Sequence, residues 1–143
     1  PRAHLGPDSL DFSFSGLKTA VALYVKKWQQ NGRKEVSMAD IAASFQEAVI
    51  DVLAEKTITA AERTKVRSIV VAGGVACNQA LRDRVKDLAS QCGMAFYTPR
   101  PAYCTDNGAM IALAGYHRIS RGERAELSLD VKSRYPIEDI PAL

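Results

Sequence analysis

The spacing of apolar positions changes repeatedly along this chain, and each change predicts an element. In "DFSFS", Phe12 and Phe14 alternate with Ser13 and Ser15, the period of two that a short strand with one buried face requires. From Leu17 the period lengthens. Leu17, Ala20, Val21, Tyr24 and Trp28 recur at three- and four-residue steps up to Asn31-Gly32, which predicts an amphipathic helix with a stop signal. "SMAD" opens the next helix, because Ser37 can accept from a first-turn amide while Asp40 reaches back to it. Met38, Ile41, Phe45, Ala48, Val49 and Val52 then carry one apolar stripe toward Glu62.

"SIVVAGG" has no polar alternation, the pattern of a strand covered on both faces of a parallel sheet. Leu81, Val85, Leu88, Ala89 and Cys92 stripe a following helix that Gly93 can close in a left-handed cap. "AFYT" predicts another short strand, halted by "PRP". "TDNGAMIALAGYHRIS" predicts a helix started by Thr105 or Asp106 and apolar enough to be buried, with Gly108, Ala112 and Gly115 allowing close backbone approach. Residues 122–143 read as a polar tail. The expected order is strand, two helices, strand, helix, strand, helix: an α/β fold with a short parallel sheet and flanking helices.

A hydrophobic content of 47% in 143 residues is enough for one ordinary core. The net charge of +3 comes from basic residues interspersed with acidic ones, as in "LRDRVKDL", so charge argues neither for nor against a nucleic-acid partner. "GAMIALAG" is far shorter than the roughly 20 residues a membrane helix takes, so no membrane role is expected. The cysteines, Cys77, Cys92 and Cys104, are odd in number and lack C-x-x-C spacing, which reads as reduced thiols of a cytoplasmic protein, each a small buried apolar residue. The opening "PRAHLGPDSLDF" reads as a segment entered partway along a longer protein.

Candidate chemistry collects at strand ends. In a parallel α/β sheet ligands bind beyond the carboxyl ends of the strands, which is where Gly73 and Gly74 fall. Without Cβ atoms they let a ligand approach the main chain. Asn78 follows, with both a donor and an acceptor suited to a nucleoside, although Gly-Gly also closes ordinary turns and Asn is a good helix cap in its own right. Neither the phosphate-loop nor the dinucleotide signature is present. Asp106 sits after the next strand, so it is expected to share one hollow with Asn78, either as a helix cap or as a metal ligand. His4 and His117 fit no zinc spacing; His117 suits the dipole of a helix C-terminus. Lys18, in a first helical turn, hints at an anionic contact. Tyr24, Trp28 and Phe45 read as core.

Taken together and in this order, "DFSFSGLKTA", "VVAGGVACNQALR" and "PAYCTDNGAMIALAG" resemble the carboxyl-terminal part of the TsaD family of tRNA threonylcarbamoyladenosine transferases. The resemblance extends to "RYPIED". It implies an actin-like fold of the sugar-kinase and Hsp70 type, ribonuclease H-like, with a nucleotide cleft between lobes. It also implies transfer of threonylcarbamoyl from threonylcarbamoyl-AMP to N6 of the adenosine next to the anticodon, position 37, in tRNAs reading ANN codons.

Position by position, Asn78 matches the family's adenosine-contacting Asn, Gly73 and Gly74 its glycine corner, and Asp106 its metal-ligand Asp. The divalent metal, iron or else zinc or magnesium, takes its other ligands from an upstream H-x-x-x-H motif that this sequence lacks. The expectation is therefore a segment inactive alone, with no catalytic residue of its own and with tRNA, TsaB-like and TsaE-like proteins as partners. Surface left uncovered by an absent lobe leaves room for a homodimer. Two other readings are an ATP-dependent kinase of the same superfamily, which "FSGLKT" argues against, and a non-catalytic scaffold lobe. A metallopeptidase has no zinc-protease helix motif to stand on.

Overall fold

The longest helix is set by its cap. In the computed structural model, which describes residues 1–2, 5–6, 8–30, 36–130 and 136, Ser37 is extended at φ −83° and ψ 162° and its Oγ accepts from the Asp40 N–H at 3.1 Å. Asp40 Oδ2 accepts from the Ser37 N–H at 2.9 Å, completing the expected capping box. The Ser37 hydroxyl, then its backbone N–H, hold the Asp40 carboxyl below its ordinary value of 3.8. The preceding helix α1, Ser15–Gln30, is tied to this cap by Trp28, whose Nε1 donates to Val36 O at 2.8 Å. The α1 stop expected at Asn31-Gly32 lies outside the described residues.

Helix α2 runs Met38–Thr64 and ends on Lys65 in the left-handed region, φ 55° and ψ 35°, with the Lys65 N–H bonded to Ala61 O and Glu62 O. Its buried residues exceed the predicted stripe. Ile41, Ala48 and Val52 are buried as expected, but Ile50, Ala54, Ile58 and Ala61 form a second row at four- and three-residue steps. That row meets Leu81, Val85 and Ala89 of α3 and Ile69 of the sheet in one core. Each large aliphatic side chain buried there contributes about 1.5–3 kcal/mol.

The sheet has two parallel strands, β1 Ser68–Val70 and β2 Ala95–Tyr97, with Ile69 opposite Phe96. Coverage of β1 is one-sided: Ile69 is buried, while Val70 is 67% exposed. An unalternated apolar run therefore overstated its burial. Helix α3, Gln79–Gln91, closes as predicted, with Cys92 at its cap and Gly93 at φ 69°. Cys92 and Cys77 are exposed and only Cys104 is buried, and all three are free thiols.

The predicted strand over residues 11–15 does not form. Carbonyls at and just before its start go elsewhere: the buried Lys56 Nζ takes Ser9 O at 2.8 Å and also Asp11 O, and α1 already begins at Ser15. A lysine head on these acceptors replaces a ladder partner. Phe12 and Phe14 stack at 6.3 Å, with Lys56 Nζ 5.7 Å from the Phe12 ring centroid. Arg2 pairs with the buried Asp51, and Arg63 Nη1 donates to Asp8 O at 2.7 Å, so Arg2 and Asp8 are both held against α2. Tyr24, expected in the core, is 41% exposed, whereas Trp28 and Phe45 are half-buried.

The chain divides into two compact units, Pro1–Cys104 and Thr105–Leu143. The second contains α4, Gly108–Ser120. Its cap is Asn107, whose Oδ1 accepts from Met110 N at 3.2 Å, and not Thr105 or Asp106. No residue of α4 is buried, against expectation, and Ile111 is 75% exposed. Apolar composition makes burial favourable, but burial itself takes a second surface. His117 lies in the last turn, as read from the sequence, edge-on to Tyr116. Of the polar tail, residues 123–130 are exposed and 131–143, apart from 136, lie outside the described residues.

Candidate functional site

Parallel pairing puts the carboxyl ends of β1 and β2 at one edge of the sheet, so the loops that leave them are neighbours. The loop after β1 turns at Gly73, φ 90° and ψ 173°, a conformation almost confined to glycine. A short 3-10 turn, Gly74–Cys77, then leads to Asn78. A Cβ added at Gly73 or Gly74 would meet nothing within 4 Å, so the main chain there is open to approach. The glycines thus serve both readings: backbone geometry requires Gly73, and open space lies above both.

Asn78 has two partners. Its Oδ1 accepts from Leu81 N at 3.0 Å, capping α3, and its Nδ2 donates to Gln46 Oε1 on α2 at 2.9 Å. One N–H and one lone pair of its amide remain for a ligand. Beside the pair lies a cleft of about 290 Å³ between α2 and α3, whose lining includes Phe45, Gln46, Val49, Val75, Asn78 and Leu81. Its walls are mainly aliphatic and aromatic, with the two amides as its polar groups.

The two loops are joined by Arg82. This buried residue donates from Nε to Ala76 O in the first loop, and from Nη2 to Pro99 O at 3.4 Å and Cys104 Sγ at 3.3 Å in the second. Cys77 Sγ adds a contact to Pro101 O at 3.7 Å. No carboxylate is paired with Arg82 among the described residues, so its charge is dispersed over carbonyls and a thiol. A guanidinium fork suits that work because its donors diverge in one plane.

Gly73, Gly74 and Asn78 are therefore brought together at the β1–α3 junction. Asp106 is exposed and belongs to the second unit, one residue before the Asn107 cap. Among the described residues no group of three His, Cys, Asp or Glu side chains is placed to hold a metal ion. His4 lies outside the described residues, and Lys18 is exposed in the first turn of α1. No helix among the described residues is long and apolar enough to cross a membrane.

Gln46 and Arg82 were not singled out by the sequence. Gln46 follows Phe45 on α2 with nothing in the periodicity to mark it, and Arg82 sits in the mixed-charge run "LRDRV" that reads as a solvated face.

Comparison with known proteins agrees with the motif resemblance. The profile of the TsaD family, tRNA N6-adenosine threonylcarbamoyltransferase, matches residues 1–113. A protein named tRNA N6-adenosine threonylcarbamoyltransferase from Desulfitobacterium hafniense is 54% identical over 130 residues, 91% of this chain and 38% of the relative. One of the same name from Desulfotalea psychrophila is 51% identical over 136 residues, 94% of this chain and 40% of the relative. A third, from Syntrophus aciditrophicus, is 43% identical over 131 residues, 92% and 38% respectively. The chain thus spans about two-fifths of the length of these curated relatives. With the family profile covering most of its residues, and the glycine corner and Asn78 set together at a strand end, this chain belongs to the TsaD family.

Proposed function

We propose that the chain forms one wall of the nucleotide cleft of a tRNA N6-adenosine threonylcarbamoyltransferase. The observation that carries this reading is the open glycine corner, Gly73-Gly74, running directly into an Asn78 amide with hydrogen-bonding capacity left. The adenosine part of threonylcarbamoyl-AMP approaches the bare main chain and meets Asn78. The N6 amine of the tRNA adenosine attacks the carbonyl carbon of the mixed carbamic–phosphoric anhydride. A C–N bond forms, the C–O bond to phosphate breaks, AMP leaves with the electron pair, and the amine gives up a proton to solvent.

In that reaction this chain binds and orients the leaving nucleotide, which converts a bimolecular encounter into an oriented one. Asp106 would offer one carboxylate oxygen to the divalent metal, iron, zinc or magnesium, with the remaining ligands outside this sequence. A bound divalent cation supplies charge neutralisation on phosphate and acyl oxygens. Partners in this reading are tRNA and TsaB-like and TsaE-like proteins, in the cytoplasm.

The test exchanges the matching segment of the Desulfitobacterium hafniense relative for this chain and measures threonylcarbamoyladenosine in tRNA by mass spectrometry of nucleosides. The chimera is expected to be active, and Asn78→Ala to lower its kcat/KM about tenfold or more, since removing a polar ligand contact costs on the order of a hydrogen bond to a charged or polar group. The isolated chain is expected to transfer nothing. A folded chimera that binds TsaB-like and TsaE-like proteins yet transfers nothing would favour a scaffold lobe instead.

A further inference from the structure

Asn78 can serve a nucleoside only if its amide faces the right way, and an amide can be flipped by half a turn with little change of shape. Two contacts set that orientation here. The helix cap needs an acceptor toward Leu81 N, and Gln46 Oε1 needs a donor from Asn78, at 3.0 Å and 2.9 Å. The two demands agree, and each places Oδ1 on one side and Nδ2 on the other. The cap alone is worth only about 1 kcal/mol, and the last torsion of an asparagine is broad and roughly two-fold. Gln46 is exposed on α2, contributes no burial to the core, and spends its acceptor on Asn78 while its Nε2 donors have no partner among the described residues. It lines the cleft shared with Phe45, Val49 and Val75, and its contact with Asn78 ties α2 to the start of α3 beside the glycine corner.

We infer that Gln46 is a positioning residue for nucleoside binding: by accepting from Asn78 Nδ2 it locks the Asn78 amide with its remaining N–H and lone pair presented to the ligand. The inference rests on the adenosine reading of the site given above. It makes a chemical distinction that a packing role does not. What matters at position 46 is an acceptor oxygen at the right reach, so glutamate serves as glutamine does, whereas alanine and leucine do not.

The experiment titrates the chimeric transferase described above, carrying this 143-residue chain in isotopically labelled form, with adenosine, a neutral probe, and follows the Asn78 side-chain amide by NMR, with thermal unfolding run in parallel. In the unmodified chain adenosine is expected to shift the Asn78 Nδ2 protons. Gln46→Ala and Gln46→Leu are expected to weaken adenosine binding about three- to tenfold, the fold-change equivalent of one net hydrogen bond, with the unfolding midpoint nearly unchanged. Gln46→Glu is expected to stay within about twofold of the unmodified chain, because it keeps the acceptor and discards the donors. Equal affinity in Gln46→Ala and the unmodified chain overturns the inference while leaving the adenosine reading intact. So does a Gln46→Glu chain as weak as Gln46→Ala, since the donors would then be what the ligand uses. An Asn78 amide indifferent to adenosine in the unmodified chain removes the adenosine reading itself, and the inference with it.

Discussion

Arg82 donates from Nη2 to the buried Cys104 Sγ at 3.3 Å, and through its other contacts one guanidinium spans two βα loops. Removing it leaves carbonyls of Ala76 and Pro99 without their donor. Arg82→Ala is expected to destabilise the chain by about 3 kcal/mol, the range for hydrogen bonds to a charged group within the interior. Arg82→Lys is expected to recover less than half of that, because one ammonium cannot replace a planar fork. Urea unfolding measures both, and a lysine variant as stable as the parent contradicts the bridging role.

The α2 cap makes an acid-sensitive contribution. Ser37→Ala is expected to cost about 1 kcal/mol at neutral pH. Asp40 has a folded pKa below its ordinary 3.8, so its contribution is present above that value and fades as pH falls through the lowered one. Asp40→Asn should therefore lose stability at neutral pH and show less change than the parent below pH 3.8. Urea midpoints across the acid range decide it; parallel curves for the two proteins would be the contrary result.

Gly73 and Gly74 should separate under substitution. Gly73→Ala forces a side chain into a glycine-only backbone state and is expected to cost about 2 kcal/mol with no clash involved. Gly74→Ala has neither a positive φ nor a neighbour to meet, so stability should move by less than about 0.5 kcal/mol. If a nucleoside approaches this main chain, Gly74→Ala still weakens adenosine binding measured by NMR. Unchanged binding would move the ligand elsewhere.

Asp106 and Asn107 should likewise divide. Asn107 Oδ1 caps α4, and Asn107→Ala is expected to cost that helix about 1 kcal/mol. Asp106→Ala is expected to leave circular dichroism and stability unchanged, because Asp106 does not hold the cap. In the chimeric transferase the same Asp106 change should abolish transfer. A stability loss at Asp106 comparable to that at Asn107 would return it to a structural role.

Much of the fold was legible because it depends on neighbours in sequence. The Ser37–Asp40 box, the Asn78 cap and the Gly93 close are all settled within four residues. What the pattern could not convey were contacts between distant segments. Lys56 claims the Ser9 and Asp11 carbonyls across more than forty residues, which turned an alternating "DFSFS" away from strand. The Ile50–Ala61 row was hidden because α2 is buried on more than one side, which blurs a single stripe. At the site, Gly73, Gly74 and Asn78 were marked by their residue types, whereas Gln46 and Arg82 owe their place to tertiary contacts that no spacing rule reports.

A ladder of only two strands has consequences for handling the protein. Among the described residues neither β1 nor β2 has a second neighbour, and both carry exposed apolar side chains, Val70 and Tyr97. Unpaired amides and carbonyls along such margins invite strands from other molecules. For this 143-residue chain on its own, turbidity is expected to rise steeply with concentration and Val70→Lys to suppress it; light scattering that does not change with concentration would contradict this.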